Sequence, residues 1–136
     1  MRLHHIAYVT RDLEQKAAQL ADLLGFRTAG PIVIDTVQGV RIQFMEIGDS
    51  GLLELLEPYG EQSPVQRHLQ KGGGLYHLCF EVDDLDATLQ RLRGTGDATV
   101  VCEPVPAPAI DNRRVAFVVT TGRDLIEFVE ATGARK

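Results

Sequence analysis

The chain has 136 residues, 44% of them hydrophobic and 24% charged, and a formal net charge of −5; that length holds one domain or a duplicated pair of small modules. The acidic balance speaks against a nucleic-acid binder, and no apolar run approaches the roughly 18 residues of a membrane span. Met1 to His5 opens without the apolar core of a secretory leader, and with Cys79 and Cys102 as the only cysteines a reducing cytoplasm is expected, not a disulfide scaffold.

Leu3 to Val9 reads as a strand. Asp12 predicts the N-cap of a helix, with Gln15 at the capping-box position. Leu13, Ala17, Leu20 and Leu24 follow at helical spacing, and Gly25 ends the run. Strand-like stretches then cover 26–35, 40–47 and 52–58, with turns at Gly39 and at 48–51. Between Glu61 and Gly74, Ser63-Pro64 reads as a cap followed by proline at the first helical position, and Gly72-Gly73-Gly74 as the stop of a short linker helix.

From Leu75 the same order returns. A strand leads to Asp84 as N-cap, and Leu85, Leu89 and Leu92 form a stripe that Gly94 and Gly96 stop. Strands follow over 98–105, 114–120 and 125–130, with a turn at 121–124. Each half is a βαβββ unit. The fold class is therefore α+β, with module one at about 1–60, a linker helix at about 61–73 and module two at about 74–131, all in one domain over 1–136.

The repeat carries chemistry with it. His5 and His77 are 72 residues apart, and Glu54 and Glu127 are 73 apart. Strand side chains alternate between two faces. His5 shares its face with Leu3, Ala7 and Val9, Glu54 with Leu52 and Leu56, His77 with Leu75 and Cys79, and Glu127 with Leu125 and Val129. A lone His or Glu in a strand is ordinarily solvated or hydrogen-bonded in a core. Four such residues on apolar faces, recurring as His-then-Glu, point instead to shared compensation by one divalent cation.

The sequence resembles the vicinal-oxygen-chelate superfamily of glyoxalase I, bleomycin-resistance proteins and dioxygenases, and within it methylmalonyl-CoA epimerase-like proteins. The stretches that carry the resemblance are His5-Ile6-Ala7, Gln38-Gly39-Val40, Glu54 to Pro58, Ser63-Pro64-Val65, Gly74 to His77, Glu81 to Asp84, Val115-Ala116-Phe117 and Leu125-Ile126-Glu127. The resemblance implies two βαβββ modules in a curved mixed sheet around a metal-binding cup, with His5, Glu54, His77 and Glu127 as the metal ligands. Several such epimerases carry a catalytic Glu four residues after the Gln of Gln-Gly-Val, and this chain has Ile42 there. The loop before the last strand, 120–124, is also shorter than the family's.

Two imidazoles and two carboxylates leave coordination positions open, which suits Co, Ni, Zn, Mn or Fe as an exchangeable Lewis acid. The resemblance then implies an isomerase that moves an α-proton beside a thioester carbonyl. Glu127 is the first choice of acid/base, and Glu54 serves opposite it. Glu46 reads as a solvated surface residue. The expected substrate is an acyl-CoA or another thioester, held by a local basic patch. Arg113 and Arg114 are the candidates for that patch, with Arg67 and Lys71 behind them. Alternatives are a glyoxalase I-like lyase acting on a glutathione hemithioacetal, a metal-free small-molecule-binding module, and, lower in rank, an extradiol dioxygenase. A homodimer is expected, with no nucleic-acid or membrane partner.

Overall fold

The computed structural model describes residues 1–49 and 51–133, so Ser50 of the expected 48–51 turn lies outside the described residues. In chain order the elements are β1 (Arg2–Val9), α1 (Leu13–Leu24), β2 (Arg27–Thr28), β3 (Val33–Asp35), β4 (Val40–Glu46), β5 (Leu52–Pro58), α2 (Val65–Gln70), β6 (Gly74–Val82), α3 (Leu85–Thr95), β7 (Ala98–Ala107), β8 (Arg113–Thr120) and β9 (Leu125–Glu130). The chain forms two compact units. The first is His5–Tyr76, and the second is Met1–His4 together with the chain from His77.

In the first unit β1 pairs parallel with β5, β4 pairs antiparallel with β5, and β2 and β3 pair antiparallel with β4. In the second unit β6 pairs parallel with β9, β8 pairs antiparallel with β9, and β7 pairs antiparallel with β8. Each unit is thus a mixed sheet with one long helix, α1 or α3, the first unit also holding the short α2, and the α+β class read from the sequence holds. Among the described residues, no helix is long and apolar enough to cross a membrane.

The helices begin and end where local chemistry directs. The Asp12 carboxylate accepts the N–H of Gln15 at 3.0 Å, and that of Asp84 accepts the N–H of Ala87 at 3.0 Å. Each contact satisfies one of the N–H groups that a helix start leaves without a partner. Gly25 (φ 72°) and Gly96 (φ 75°) end α1 and α3 in the left-handed conformation that glycine adopts at no steric cost. Gly94 does not stop α3, which runs on to Thr95. The strand expected over 26–35 is broken into β2 and β3 at Gly30-Pro31, where proline has no N–H for a ladder. Ser63 does not cap α2; its hydroxyl donates to the Gly39 carbonyl at 2.5 Å.

A second device joins each helix to its sheet. Glu57, near the end of β5, accepts the N–H of Leu13 at 3.0 Å, and Glu130, at the end of β9, accepts the N–H of Leu85 at 3.1 Å. Arg41 on β4 then spans Glu14 and Glu57 at 2.7 and 2.6 Å. Arg114 on β8 spans Asp86 and Glu130 at 2.9 and 3.4 Å. The same arginine–carboxylate clamp therefore closes both helix–strand joints.

Each helix covers one face of its sheet. Leu13 and Ala17 pack with Met45, Leu53 and Leu55 in the first unit. Leu85 and Leu89 pack with Val82, Ala116, Val118 and Phe128 in the second. By strand alternation, His5 and Glu54 lie on the face away from α1, and His77 and Glu127 on the face away from α3.

Candidate functional site

On that face of the first unit, the parallel register places Ala7 opposite Glu54, so His5 stands two residues upstream of Glu54's partner. The His5 Nε2 atom lies 3.3 Å from Glu54 Oε1. Phe44, paired with Glu54 across β4 and β5, sets its ring against the imidazole edge at 5.2 Å and 73°. The second unit repeats this arrangement. Cys79 lies opposite Glu127, with His77 two residues upstream, and His77 Nε2 is 3.0 Å from Glu127 Oε1. Phe117, paired with Glu127, meets the imidazole at 5.3 Å and 80°.

The four polar residues are almost wholly withdrawn from water: 1% exposed for His5, 5% for Glu54, 6% for His77 and 3% for Glu127. Burying a carboxylate costs several kcal/mol in rough terms, and a hydrogen-bonding or ionic partner must offset that. An imidazole within 3.3 Å supplies part of the offset in each unit. Each pair presents one nitrogen and one carboxylate oxygen, the donor types that first-row divalent ions accept. The chemistry of the donor set therefore fits the expected metal. Phe44 and Phe117 complete the arrangement, and sequence reading missed both. They are 73 residues apart, the offset of Glu54 and Glu127, and that spacing would have found them.

The other candidate residues are placed differently. Arg113 donates to the Glu130 carbonyl at 2.8 Å and pairs with Glu81 at 2.5 Å. Glu81 also receives Arg2, and Arg2 followed by Arg113 holds its carboxyl below the usual carboxylate range. The Arg114 guanidinium is pushed up, first by its bond to Asp86. Both arginines are thus engaged by carboxylates within their own unit. Glu46 pairs with Arg27 at 2.9 Å, and Gln43 bonds the Gly30 carbonyl at 3.1 Å, away from the imidazole face. Ile42 is buried and carries no ionisable group. Cys79 is fully buried, as its small size suggests.

A family model described as the glyoxalase/bleomycin resistance protein/dioxygenase superfamily matches residues 4–117. The ethylmalonyl-CoA/methylmalonyl-CoA epimerase of Cereibacter sphaeroides is 38% identical over 119 residues, which span 86% of this chain and 87% of that protein. Human mitochondrial methylmalonyl-CoA epimerase is 36% identical over 94 residues, 68% of this chain. The match spans about half, 52%, of the human protein's own length. Among solved structures, the methylmalonyl-CoA epimerase of Mycobacterium tuberculosis superposes with a TM-score of 0.85 at 31% identity, covering 95% of this chain and 87% of that one. A variant of the Streptomyces coelicolor methylmalonyl-CoA epimerase in complex with 2-nitronate-propionyl-CoA gives 0.86 at 28% identity, covering 98% and 99%.

Proposed function

The chain belongs to the glyoxalase/bleomycin resistance protein/dioxygenase superfamily, and from that membership we propose that it is a metal-dependent epimerase of a 2-carboxyacyl-CoA thioester, of the methylmalonyl-CoA or ethylmalonyl-CoA kind. The observation that carries this reading is the buried His–Glu pair that occurs once in each unit. The acyl-CoA named for the Cereibacter and Streptomyces relatives supports the substrate class.

His5, Glu54, His77 and Glu127 together would hold one divalent ion of the Co, Ni, Zn, Mn or Fe type. When bound, that ion supplies Lewis acidity that draws electron density from a thioester carbonyl and so acidifies the neighbouring C–H. The remaining work falls to side chains of the chain. Glu127 takes the α-proton onto its carboxylate as the C–H bond breaks, with its position fixed by the imidazole 3.0 Å away. Glu54, carrying a proton at the start of the cycle, gives it to the opposite face of the same carbon and so inverts it, while Glu127 keeps the proton it took. Ile42 leaves these two carboxylates as the acid/base pair. The rings of Phe44 and Phe117 fix the two imidazoles edge-on and keep water off them. Arg113 and Arg114 are held by Glu81, Asp86 and Glu130 and would reach a phosphate of the carrier only by giving up those partners.

The working protein in this reading is one domain of two modules, about 1–60 and about 74–131, joined by the linker helix and assembled as a homodimer. A cytoplasmic setting belongs to this reading, from a sequence with two cysteines and no CxxC spacing. The test is incubation of the protein and Co²⁺ with a panel of acyl-CoA thioesters in D₂O, following deuterium at the α-carbon. Exchange into a 2-carboxyacyl-CoA is expected. No exchange in any thioester, with turnover of methylglyoxal and glutathione instead, would replace this reading with a glyoxalase.

A further inference from the structure

A polyanionic substrate carrier approaching a chain of net charge −5 needs a local set of cations not already held by carboxylates. In the first unit, Arg27 and Arg41 are held by Glu46, Glu14 and Glu57. Among the described residues, Arg11, Lys16, Arg67 and Lys71 have no carboxylate partner. Two of these four, Arg11 and Lys16, line one groove of about 320 Å³, whose other wall is the end of α2 with Gly72 and Gly74. Lys71 lies within that wall segment.

The groove is built, not merely basic. Lys16 Nζ is held 5.8 Å above the Tyr8 ring and donates to Gln19 at 2.6 Å. The nearby carboxylates are already engaged: Asp12 by the Gln15 N–H, Glu14 by Arg41, and Glu57 by Arg41 and the Leu13 N–H. None of these carboxylates forms an ion pair with Arg11 or Lys16. The glycine wall runs close against β1. A Cβ on Gly73 would stand 2.8 Å from the Val9 carbonyl, and the residue's φ of 71° also disfavours any side chain.

The repeat supplies a comparison inside the chain. The 72-residue offset that matches His5 to His77 and Asp12 to Asp84 matches Arg11 to Asp83 and Lys16 to Thr88. Asp83 and Thr88 line the corresponding groove of the second unit, with Asp84 and Arg91 beside them, so that groove carries no net positive charge. The βα corner therefore forms without cations at these positions, and the fold does not account for Arg11 and Lys16.

We propose that the groove of Arg11, Lys16 and the Gly72–Gly74 wall is a phosphate subsite for the nucleotide end of the thioester carrier. This rests on the acyl-CoA reading above. A volume of about 320 Å³ is at the low end for ligand sites, so the groove takes the phosphate-bearing end and not the whole carrier. An arginine fork with a neighbouring ammonium is suited to phosphate oxygens.

The test compares a 2-carboxyacyl-CoA with the same acyl-pantetheine, which lacks the nucleotide, in the metal-loaded enzyme. The variants are Arg11→Asp with Lys16→Thr, which installs the second unit's own residues, and Arg11→Gln with Lys16→Gln, which removes charge without adding acid. The wild type should favour acyl-CoA through KM, and each variant should shrink that preference by about tenfold or more. Calorimetric titration with adenosine 3′,5′-bisphosphate, which needs no turnover, should show binding to the wild type and its loss in both variants. Variants that keep the wild-type preference, or bind the bisphosphate as the wild type does, overturn the subsite. A wild type that exchanges neither thioester sinks the epimerase reading instead, and the titration then decides the groove by itself.

Discussion

A carboxylate as buried as that of Glu127 is stable only beside a partner, and His77 is the partner in view. Replacing Glu127 by Gln keeps the shape and an oxygen donor but removes the base. Deuterium exchange at the α-carbon should fall by about 100- to 10,000-fold while part of the metal stays bound. A Glu127→Gln protein that binds metal and exchanges at the wild-type rate would move the base to Glu54. His77→Ala removes a nitrogen donor and leaves Glu127 without its imidazole. Elemental analysis of gently purified protein should show its metal content well below the wild type's, and an unchanged ratio would take His77 out of the ligand set. The His and Glu residues were legible because polar groups on apolar strand faces are conspicuous once they recur. Phe44 and Phe117 were not, because an aromatic in a strand reads as ordinary core until the imidazole beside it is seen. Arg113 and Arg114 read as open cations because sequence does not display Glu81, Asp86 and Glu130 on neighbouring elements.

The elements themselves were mostly legible, since caps and periodicity are local. The exceptions were settled by contacts distant in sequence or by backbone chemistry. Ser63 serves the Gly39 turn instead of α2, and Pro31 divides one expected strand. The clamps at the two helix–strand joints were invisible, because each joins residues of three elements. Glu130→Ala deprives both the Leu85 N–H and Arg114 of an acceptor. It should lower unfolding free energy by roughly 1–3 kcal/mol in urea titration, with Glu57→Ala acting similarly at Leu13 and Arg41. Glu81 gives a pH dependence of definite sign. Arg2 and Arg113 hold its folded pKa below the unfolded value. Its contribution is therefore complete above the unfolded pKa, near about 4.3, and drains away as pH falls through the folded one. A Glu81→Gln variant should have a lower Tm than wild type at neutral pH, and the two should converge in acid. Parallel curves down to acid pH would contradict the assignment.

At the scale of the molecule, the duplication was the most legible feature, and it accounts for the equal geometry of the two His–Glu pairs. The homodimer belongs to this scale as well. The expectation of a dimer rests on the family resemblance and on a chain of 136 residues giving each copy limited room for a buried core. Light scattering at micromolar concentration should give twice the chain mass of 15.0 kDa, and a monomer would contradict the assembly. The clamps also set a clock. The amide of a helix's first residue is ordinarily left to solvent and loses its hydrogen quickly. Leu13 and Leu85 hold that position, yet each gives its hydrogen to a carboxylate of a core strand. Their amides should therefore keep protium about as long as the interior of their sheets. Glu130→Ala should free Leu85 while Leu13 stays slow, so that each half reports, through one backbone hydrogen, how often its own helix lifts from its strand.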